Sequence, residues 1–194
     1  MLARVCVFCG SSPGVRAAYA IAARALGGAL ARRGLGVVYG GAGVGVMGAL
    51  ADGALAAGGE VIGVLPRRLF RREVGHGGLT ELIEVDSMHE RKQRMAELAS
   101  AFVALPGGYG TLEELFEVVT WAQLGIHRKP IGVLDVDGYF APLATLLDHA
   151  VCEGFVRTEH RELVLLASSI DDLLDRLEQH RPPPVEKWLD DDEA

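Results

Sequence analysis

The sequence has little cysteine, no excess of positive charge and no long uninterrupted apolar run. Its three cysteines, Cys6, Cys9 and Cys152, are odd in number, and two of them lie in an apolar segment typical of a strand. This argues against a disulfide framework and favours a reducing compartment. Cys6 and Cys9 form a CxxC pair, but residues three apart on a strand point to opposite faces. We therefore expect both to be core residues and not ligands of one metal ion.

The charge balance and the apolar pattern exclude several other classes. The formal net charge is −7 and the pI is about 5.4, so we expect neither a nucleic acid nor a membrane as partner. No apolar run reaches transmembrane length. The first four residues lead directly into a short strand, without the apolar region and cleavage site of a signal peptide. The expected location is the cytoplasm.

The length and the pattern of the chain predict a single α/β domain. The 194 residues are 49% hydrophobic and 23% charged, which is ordinary for a globular protein. We expect one domain over residues 1–181 and an exposed, Pro-rich acidic tail over 182–194. The 25 glycines exceed the usual share and gather at the ends of apolar runs, where α/β folds place ligand-facing turns.

Short apolar runs alternate with longer helical patterns along the domain. Such alternation predicts a Rossmann-like, doubly wound and mostly parallel sheet of about seven strands, with helices on both faces. The predicted strands lie at 5–8, 36–39, 60–65, 82–85, 102–105, 131–134 and 163–166, and the predicted helices at 16–33, 45–57, 88–100, 111–124, 139–153 and 171–179. Ligands bind beyond the carboxyl ends of strands in such sheets, and the unusual motifs of this sequence fall there.

The first motif is YGGAGVGVMG, from Tyr39 to Gly48. It contains GxGxxG between a strand and a helix, so its backbone N–H groups are able to hold a phosphate, and Gly41, Gly43 and Gly45 are the candidate residues. A dinucleotide fingerprint would need an acidic residue at the end of the next strand, which instead ends in Leu65-Pro66. A close-packed turn is the structural alternative.

The second motif is PGGYGTLEE, which again joins a strand to a helix. Thr111 as N-cap with Glu114 at the third helical position would form a capping box, which is the structural alternative. Three glycines after a proline instead favour a loop that lets an anion approach the backbone, formed by Gly107, Gly108, Tyr109, Gly110 and Thr111. Glu113 and Glu114 point to different sides of the helix, so at most one faces the site.

The third motif is SMHERKQRM, which begins at Ser87. Arg91 and Lys92 fall in the first turn of a predicted helix, where cations oppose the helix dipole unless an anion lies nearby. A solvated charged face is the alternative. No His or Cys cluster has metal-ligand spacing, so we predict no metal site.

Together the three motifs resemble the LOG (Lonely Guy) family of phosphoribohydrolases that activate cytokinins, and the resemblance runs from about Val5 to Phe155. It implies a homodimer or larger assembly with the active site near the interface. It also implies hydrolysis of N6-substituted adenosine 5′-monophosphates, in some members AMP as well, to free base and ribose 5-phosphate without a cofactor. The family's catalytic arginine and glutamate match Arg91 and Glu114. Its nucleotide-contacting residues match Glu73, Met88, Lys92, Gly108, Gly110 and Thr111.

The residues suggest a mechanism of this kind. Glu114 would stabilise positive charge on the sugar and accept a proton from water. Arg91 would position Glu114 and bind the ribose or phosphate, and Lys92 would add charge beside N–H groups at 108–111. The sequence departs from the commonest family pattern at Ala42, which replaces a glycine, and in the loop at 75–78.

Two other classes remain open on the sequence alone. A nucleotide-binding or carrier module without catalysis would use the same glycine loops. A pyridoxal phosphate-dependent lysine decarboxylase would need a Schiff-base lysine. The chain has three lysines, Lys92, Lys129 and Lys187, and we expect none of them to lie in a cofactor pocket.

Overall fold

The structure is a computed structural model that describes residues 2–67 and 75–181. Within these ranges strands and helices alternate almost strictly along the chain. The elements are β1 (Arg4–Phe8), α1 (Ala17–Arg32), β2 (Gly36–Tyr39), α2 (Gly45–Ala56), β3 (Val61–Pro66), β4 (Glu81–Val85), α3 (Met88–Leu98), β5 (Ala101–Ala104), α4 (Tyr109–Gln123), β6 (Ile131–Leu134), α5 (Ala141–Cys152), α6 (Thr158–Arg161), β7 (Val164–Ala167) and α7 (Ile170–Gln179).

The strands form one seven-stranded sheet in the order β4-β3-β2-β1-β5-β6-β7. Every neighbouring pair is parallel, and the central strand β1 pairs Val5 with Val37 of β2 and with Ala101 of β5. The predicted doubly wound α/β fold is therefore confirmed. The chain leaves β1 toward one edge of the sheet and leaves β5 toward the other, so a crevice opens between the carboxyl ends of these two strands.

Two apolar layers cover the sheet. Helices α1, α2 and α7 pack on one face, and α3, α4 and α5 pack on the other. The strands β1, β2, β3, β5 and β6 are almost wholly buried, which explains their continuous apolar sequences. Cys9 belongs to the first layer and Cys6 to the second, so the two thiols lie on opposite sides of the sheet, as the strand period predicts.

Part of the glycine excess serves helix packing and not ligand-facing turns. Gly27 in α1 and Gly53 in α2 lie where the two helices touch, and a Cβ on either would overlap a carbonyl oxygen of the other helix. The expectation that the glycines gather at strand ends is wrong for these positions. The close approach of α1 and α2 requires residues without a side chain there.

Several element boundaries differ from the predicted ones. Helix α4 begins at Tyr109 and not at 111, α5 begins at Ala141 and not at 139, and the short helix α6 was not predicted. The predicted tail at 182–194 and the candidate residue Glu73 lie outside the described residues. No helix within residues 2–67 and 75–181 combines the length and apolar character needed to cross a lipid bilayer.

Candidate active site

A cleft of about 320 Å³ lies at the crevice between β1 and β5. One wall is the loop after β1, the other is the loop that enters α4, and two tyrosines close the far side. The lining residues are Gly10, Ser11, Ser12, Pro13, Gly14, Tyr19, Val46, Pro106, Gly107, Gly108 and Tyr139. Gly10 N donates a hydrogen bond to Pro106 O at 3.2 Å, which joins the two loops at the base of the cleft.

Helix α4 begins with unused hydrogen-bond donors. Its N-cap is Gly108, which offers no side-chain cap, and the first helical bond runs from Leu112 N to Gly108 O at 3.1 Å. Within the described part of the chain, the N–H groups of Tyr109, Gly110 and Thr111 have no acceptor. Thr111 is the third helical residue, so the capping-box alternative is wrong. The helix start is left open for an anion.

The glycines of this loop divide into two kinds. A Cβ on Gly107 would overlap Thr111 Oγ1 and crowd Gly10 N at 2.8 Å, so the packing of the protein requires glycine there. Gly108 and Gly110 face open space, and neither has a positive φ. The protein itself does not require glycine at these two positions, which favours a ligand that approaches the backbone.

Arg91 lies in the first turns of α3, and the start of this helix is capped. Ser87 Oγ accepts a hydrogen bond from Glu90 N at 3.1 Å, and Glu90 Oε2 accepts one from Asp86 N at 2.8 Å. The sequence SMHE is thus a capping arrangement, which sequence analysis did not identify although the S-x-x-E spacing signals it. It fixes the first turn of α3 at the carboxyl end of the sheet.

Arg91 is a buried cation that spans two strand ends. Its residue is only 5% exposed, Nε donates to Val64 O at 3.1 Å, and Nη2 donates to Gly40 O at 3.1 Å. Nη1 lies 3.9 Å from Met88 Sδ. Arg91 is therefore held by the ends of β2 and β3 and by a predicted substrate-contacting residue, and it is not a solvated surface charge.

Glu114 lies in the second turn of α4 and is 6% exposed. Burial raises the pKa of its carboxyl group to about 7, the charge of Arg91 opposes this rise, and Glu113 adds to it. Its carboxylate has no hydrogen-bond or ion-pair partner among the described residues. Arg91 thus acts on Glu114 through its charge and not through a hydrogen bond. The group is poised to exchange a proton near neutral pH.

Lys92 joins α3 to α4 on the outer side of the site. Its ammonium group pairs with Glu113 and with Glu117 Oε1, the latter at 2.8 Å. Although burial lowers it, these carboxylates raise the pKa of Lys92 overall. Glu113 and Glu114 point to different sides of α4, as predicted, and only Glu114 is buried.

The glycine turn after β2 packs against the loop after β1. A Cβ on Gly45 would overlap the carbonyl group of Ser11, and a Cβ on Gly48 would overlap Gly43 O. Met47 N donates to Gly10 O at 3.1 Å. Gly41 and Gly45 have φ values of 82° and 64°. Packing and backbone conformation therefore account for most of this motif, and Gly43 remains exposed.

The described lysines do not fit a Schiff-base role. Lys92 is fixed by two carboxylates. Lys129 donates to Ala96 O at 2.7 Å, near the end of α3 and just before β6 begins. It lies at the amino ends of the strands, opposite the glycine loops. Lys187 lies outside the described residues.

Comparisons with known proteins show the family of this chain. Residues 47–177 match the profile of a family described as "Possible lysine decarboxylase". A rice protein (Oryza sativa subsp. japonica) named cytokinin riboside 5′-monophosphate phosphoribohydrolase LOG is 49% identical over 179 residues, which cover 92% of this chain and 74% of that protein. This chain belongs to the LOG family. An Arabidopsis thaliana member, LOG7, is also 49% identical over 92% of the chain and 82% of its own length.

Solved structures similar to this LOG family member include two proteins that handle the molybdenum cofactor. The carrier protein of Chlamydomonas reinhardtii has a TM-score of 0.70 and 21% identity, covering 92% of this chain and 98% of its own. The binding protein of Rippkaea orientalis has a TM-score of 0.71 and 22% identity, covering 92% and 97%. At this identity the likeness shows the fold alone.

Proposed function

We propose that this protein hydrolyses the N-glycosidic bond of adenosine 5′-monophosphates, N6-substituted cytokinin nucleotides or AMP, to free base and ribose 5-phosphate. One observation carries the proposal: a buried carboxylate with a pKa near 7, Glu114, lies beside a buried guanidinium and on the helix whose first N–H groups are open. Relatives about half identical to the chain carry the name of this activity.

The 5′-phosphate binds at the start of α4 in this proposal. The N–H groups of Tyr109, Gly110 and Thr111 point out of the helix end, and a phosphate there also meets the positive end of the helix dipole. Open space at Gly108 and Gly110 lets the phosphate oxygens approach the backbone. Gly107 keeps the loop against Gly10, and the cleft between the two loops receives the phosphorylated end.

Glu114 carries the chemical step. As the bond between C1′ and the base nitrogen lengthens, its electron pair leaves with the base and positive charge develops on the ribose. The Glu114 carboxylate stabilises this charge and accepts one proton from the attacking water, whose oxygen bonds to C1′. That proton balances the one taken up by the departing base. The products are the neutral base and ribose 5-phosphate.

Arg91 and its neighbours hold the nucleotide and set the charge of the site. Two of the Arg91 nitrogens are anchored on backbone carbonyls, which leaves Nη1, beside Met88, facing the substrate. The positive charge of Arg91 keeps part of the Glu114 population ionised at neutral pH. Lys92 contributes by holding α3 against α4 through Glu113 and Glu117.

The turn after β2 shapes the site without contacting the phosphate in this proposal. Gly41 and Gly45 serve its backbone conformation, and Gly43 is the only one of the three candidates that is exposed. The role of Glu73 as a nucleotide contact stays a prediction from the family resemblance.

We also propose that the protein acts as a homodimer through the outer faces of α4 and α5. Helix α5 contains Leu143, Leu146 and Leu147, yet none of its residues is buried, and Leu146 is 57% exposed. Phe116 on α4 is 39% exposed. Leu143 and Leu147 pack in part against the core of their own chain, whereas Leu146 and Phe116 stay exposed. Exposed apolar side chains on the outer faces of helices are typical of an interface. Because α4 also carries Glu114, this interface would adjoin the active site. Leu146→Glu places a charge in the interface, and we expect this variant to be monomeric in analytical ultracentrifugation.

The location that we propose is the cytoplasm. The described cysteines Cys6, Cys9 and Cys152 are all free thiols, and Cys152 is exposed. This is the state expected in a reducing compartment.

Product analysis tests the proposed function. Purified protein is incubated with AMP, N6-isopentenyladenosine 5′-monophosphate and the two matching nucleosides, and free base is measured by chromatography. We expect base release from the monophosphates only. Base release from nucleosides alone would refute the proposed phosphate site. Tight AMP binding without base release over hours would favour a carrier of the same fold.

A further inference from the structure

Tyr139 ties the turn after β6 to the loop that begins α4. Its hydroxyl group donates a hydrogen bond to Gly107 O, the carbonyl that immediately precedes the N-cap Gly108. Gly107 is also confined by Thr111 Oγ1 and by Gly10 N. The loop is thus held by its own helix, by the loop after β1, and by one side chain from a third part of the chain.

The turn that carries Tyr139 has an unusual backbone. Tyr139 N donates to Val136 O at 3.1 Å, and the two central residues, Asp137 and Gly138, have φ values of 53° and 75°. These are the signs of a type I′ turn. Asp137 is the only non-glycine residue with positive φ in the described ranges. Such a conformation persists where the surrounding structure fixes it, and it is concentrated at functional sites.

Further contacts orient the Tyr139 ring at the wall of the cleft. The ring meets Phe140 edge-on with centroids 4.9 Å apart, and it meets Tyr19 in the same manner at 5.6 Å. Asp135 Oδ1 accepts a hydrogen bond from Phe140 N at 2.7 Å, which fixes the residue that follows. The hydroxyl group therefore reaches Gly107 from a rigid support.

We propose that Tyr139 is a positioning residue that fixes the Gly107–Gly108 peptide so that the first N–H groups of α4 point at the substrate's 5′-phosphate. This inference rests on the proposed function and extends it to a residue outside the three sequence motifs. Donors that are already aligned bind an anion without the cost of ordering the loop. Without the Tyr139 hydroxyl group, the loop keeps its contacts with its own helix and with the loop after β1, but the Gly107–Gly108 peptide has to be aligned in part by the phosphate.

The test compares the binding of the two reaction products, of which only ribose 5-phosphate contains the phosphate. Affinities for ribose 5-phosphate and for adenine are measured by calorimetry on wild type and Tyr139→Phe. The lost hydrogen bond is expected to weaken ribose 5-phosphate binding about three- to tenfold and to leave adenine binding within about twofold. The value of kcat/KM for AMP is expected to fall by a similar factor, with little change in Tm.

Tyr39→Phe is the matched control. Its hydroxyl group also donates to a backbone carbonyl, Ala42 O at 3.3 Å, but in the turn after β2. We expect it to leave the affinity for ribose 5-phosphate unchanged. Gly138→Ala, which strains the Tyr139 turn and keeps the hydroxyl group, is expected to weaken ribose 5-phosphate binding selectively as well.

Two results would overturn the inference while leaving the proposed function intact. One is equal ribose 5-phosphate affinity in wild type and Tyr139→Phe. The other is parallel weakening of ribose 5-phosphate and adenine, which would show a general structural role. A wild-type protein that releases no base from any monophosphate and does not bind ribose 5-phosphate would refute the proposed function itself.

Discussion

The carbonyl group of Gly40 accepts a hydrogen bond from Arg91 Nη2 at 3.1 Å, and the Cα of Gly40 lies directly beneath the same guanidinium. A methyl group on that Cα would overlap Nη2. Gly40 has no positive φ, so its backbone conformation does not require glycine. The residue is small because the buried cation occupies the space above it.

Gly40→Ala is therefore expected to impair catalysis by displacing Arg91. Because a shift of about 1 Å in a positioned group costs on the order of a hundredfold, kcat/KM for AMP should fall by about that factor. Gly77→Ala is the control, since Gly77 has open space around it. Steady-state kinetics on both variants, with circular dichroism to verify folding, measure the effect. Wild-type kinetics in Gly40→Ala would contradict the role given to the Arg91 guanidinium.

The loop before α4 offers substitutions that separate stability from activity. Gly110→Ala is expected to raise the free energy of unfolding by about 0.5–1 kcal/mol, because alanine is the better helix former and nothing in the protein obstructs it. The same methyl group faces the proposed phosphate and should lower the affinity for AMP. Gly107→Ala should instead destabilise the fold, because it overlaps Thr111 Oγ1.

Urea unfolding and AMP calorimetry on these two variants provide the measurement. If Gly110→Ala bound AMP as tightly as wild type, the phosphate would not lie at the start of α4. If Gly107→Ala were as stable as wild type, the close packing described for the loop would be wrong.

Glu114 is expected to reduce stability at neutral and alkaline pH. The pKa of its carboxyl group is about 7 in the folded protein, against an ordinary value of 4.5. Between these two pH values the folded protein keeps the carboxyl group protonated, whereas the unfolded chain ionises it. Below pH 4.5 both states are protonated and stability is unaffected. As the pH rises from 4.5 through 7, the wild type loses stability, up to about 3 kcal/mol.

Glu114→Gln should remove this loss together with the activity. We expect the variant to gain stability over wild type at pH 8 and to gain little at pH 4. Chemical denaturation at both pH values measures the difference. A gain of equal size at both pH values would point to altered packing and not to ionisation.

His127 is expected to make the fold sensitive to acid. Its pKa is lowered to about 4, mainly by burial; the hydrogen bond to the Val118 carbonyl opposes this shift and the Lys129 ammonium group adds to it. The neutral ring accepts a hydrogen bond from Lys129 N at 3.1 Å through Nδ1, so Nε2 is the atom that donates to Val118 O at 2.9 Å. Stability should therefore be fully present above the ordinary pKa of 6.5 and fall as the pH drops from 6.5 toward 4.

His127→Asn tests this expectation. The variant should be less stable at pH 7, because one of the two hydrogen bonds is lost, but its stability should fall less steeply between pH 6.5 and 4. Thermal unfolding across that interval gives both quantities. A slope equal to that of wild type would assign the acid sensitivity to other groups.

The sequence contained enough information to predict the fold, and it singled out Arg91 and Glu114, which the structure buries and for which we propose the catalytic roles. Continuous apolar strands alternating with helices admit few arrangements. A cation at the start of the helix that carries Arg91, and glycines in place of capping residues before the helix that carries Glu114, each broke a local rule. The N-terminal boundary of α4 was predicted two residues late, because Thr111 resembles an N-cap while Gly108 fills that position.

Contacts between distant segments were not predictable in the same way. Nothing local to Tyr139 indicates that its hydroxyl group reaches Gly107, although the Asp137-Gly138 dipeptide does indicate a turn. Lys92 has the positive charge expected of a phosphate ligand, but its ammonium group pairs with two carboxylates of another helix. Such partners depend on the register of neighbouring elements, which a single sequence does not encode locally.

Hydrolysis of AMP in ¹⁸O-labelled water, followed by mass spectrometry of the products, tests whether water attacks C1′ with the help of Glu114. We predict adenine without label and ribose 5-phosphate with ¹⁸O on C1′. We also predict that Glu114→Gln, folded as judged by circular dichroism, is slower by about a thousandfold. Label in inorganic phosphate, or adenine release by Glu114→Gln at the wild-type rate, would contradict this mechanism.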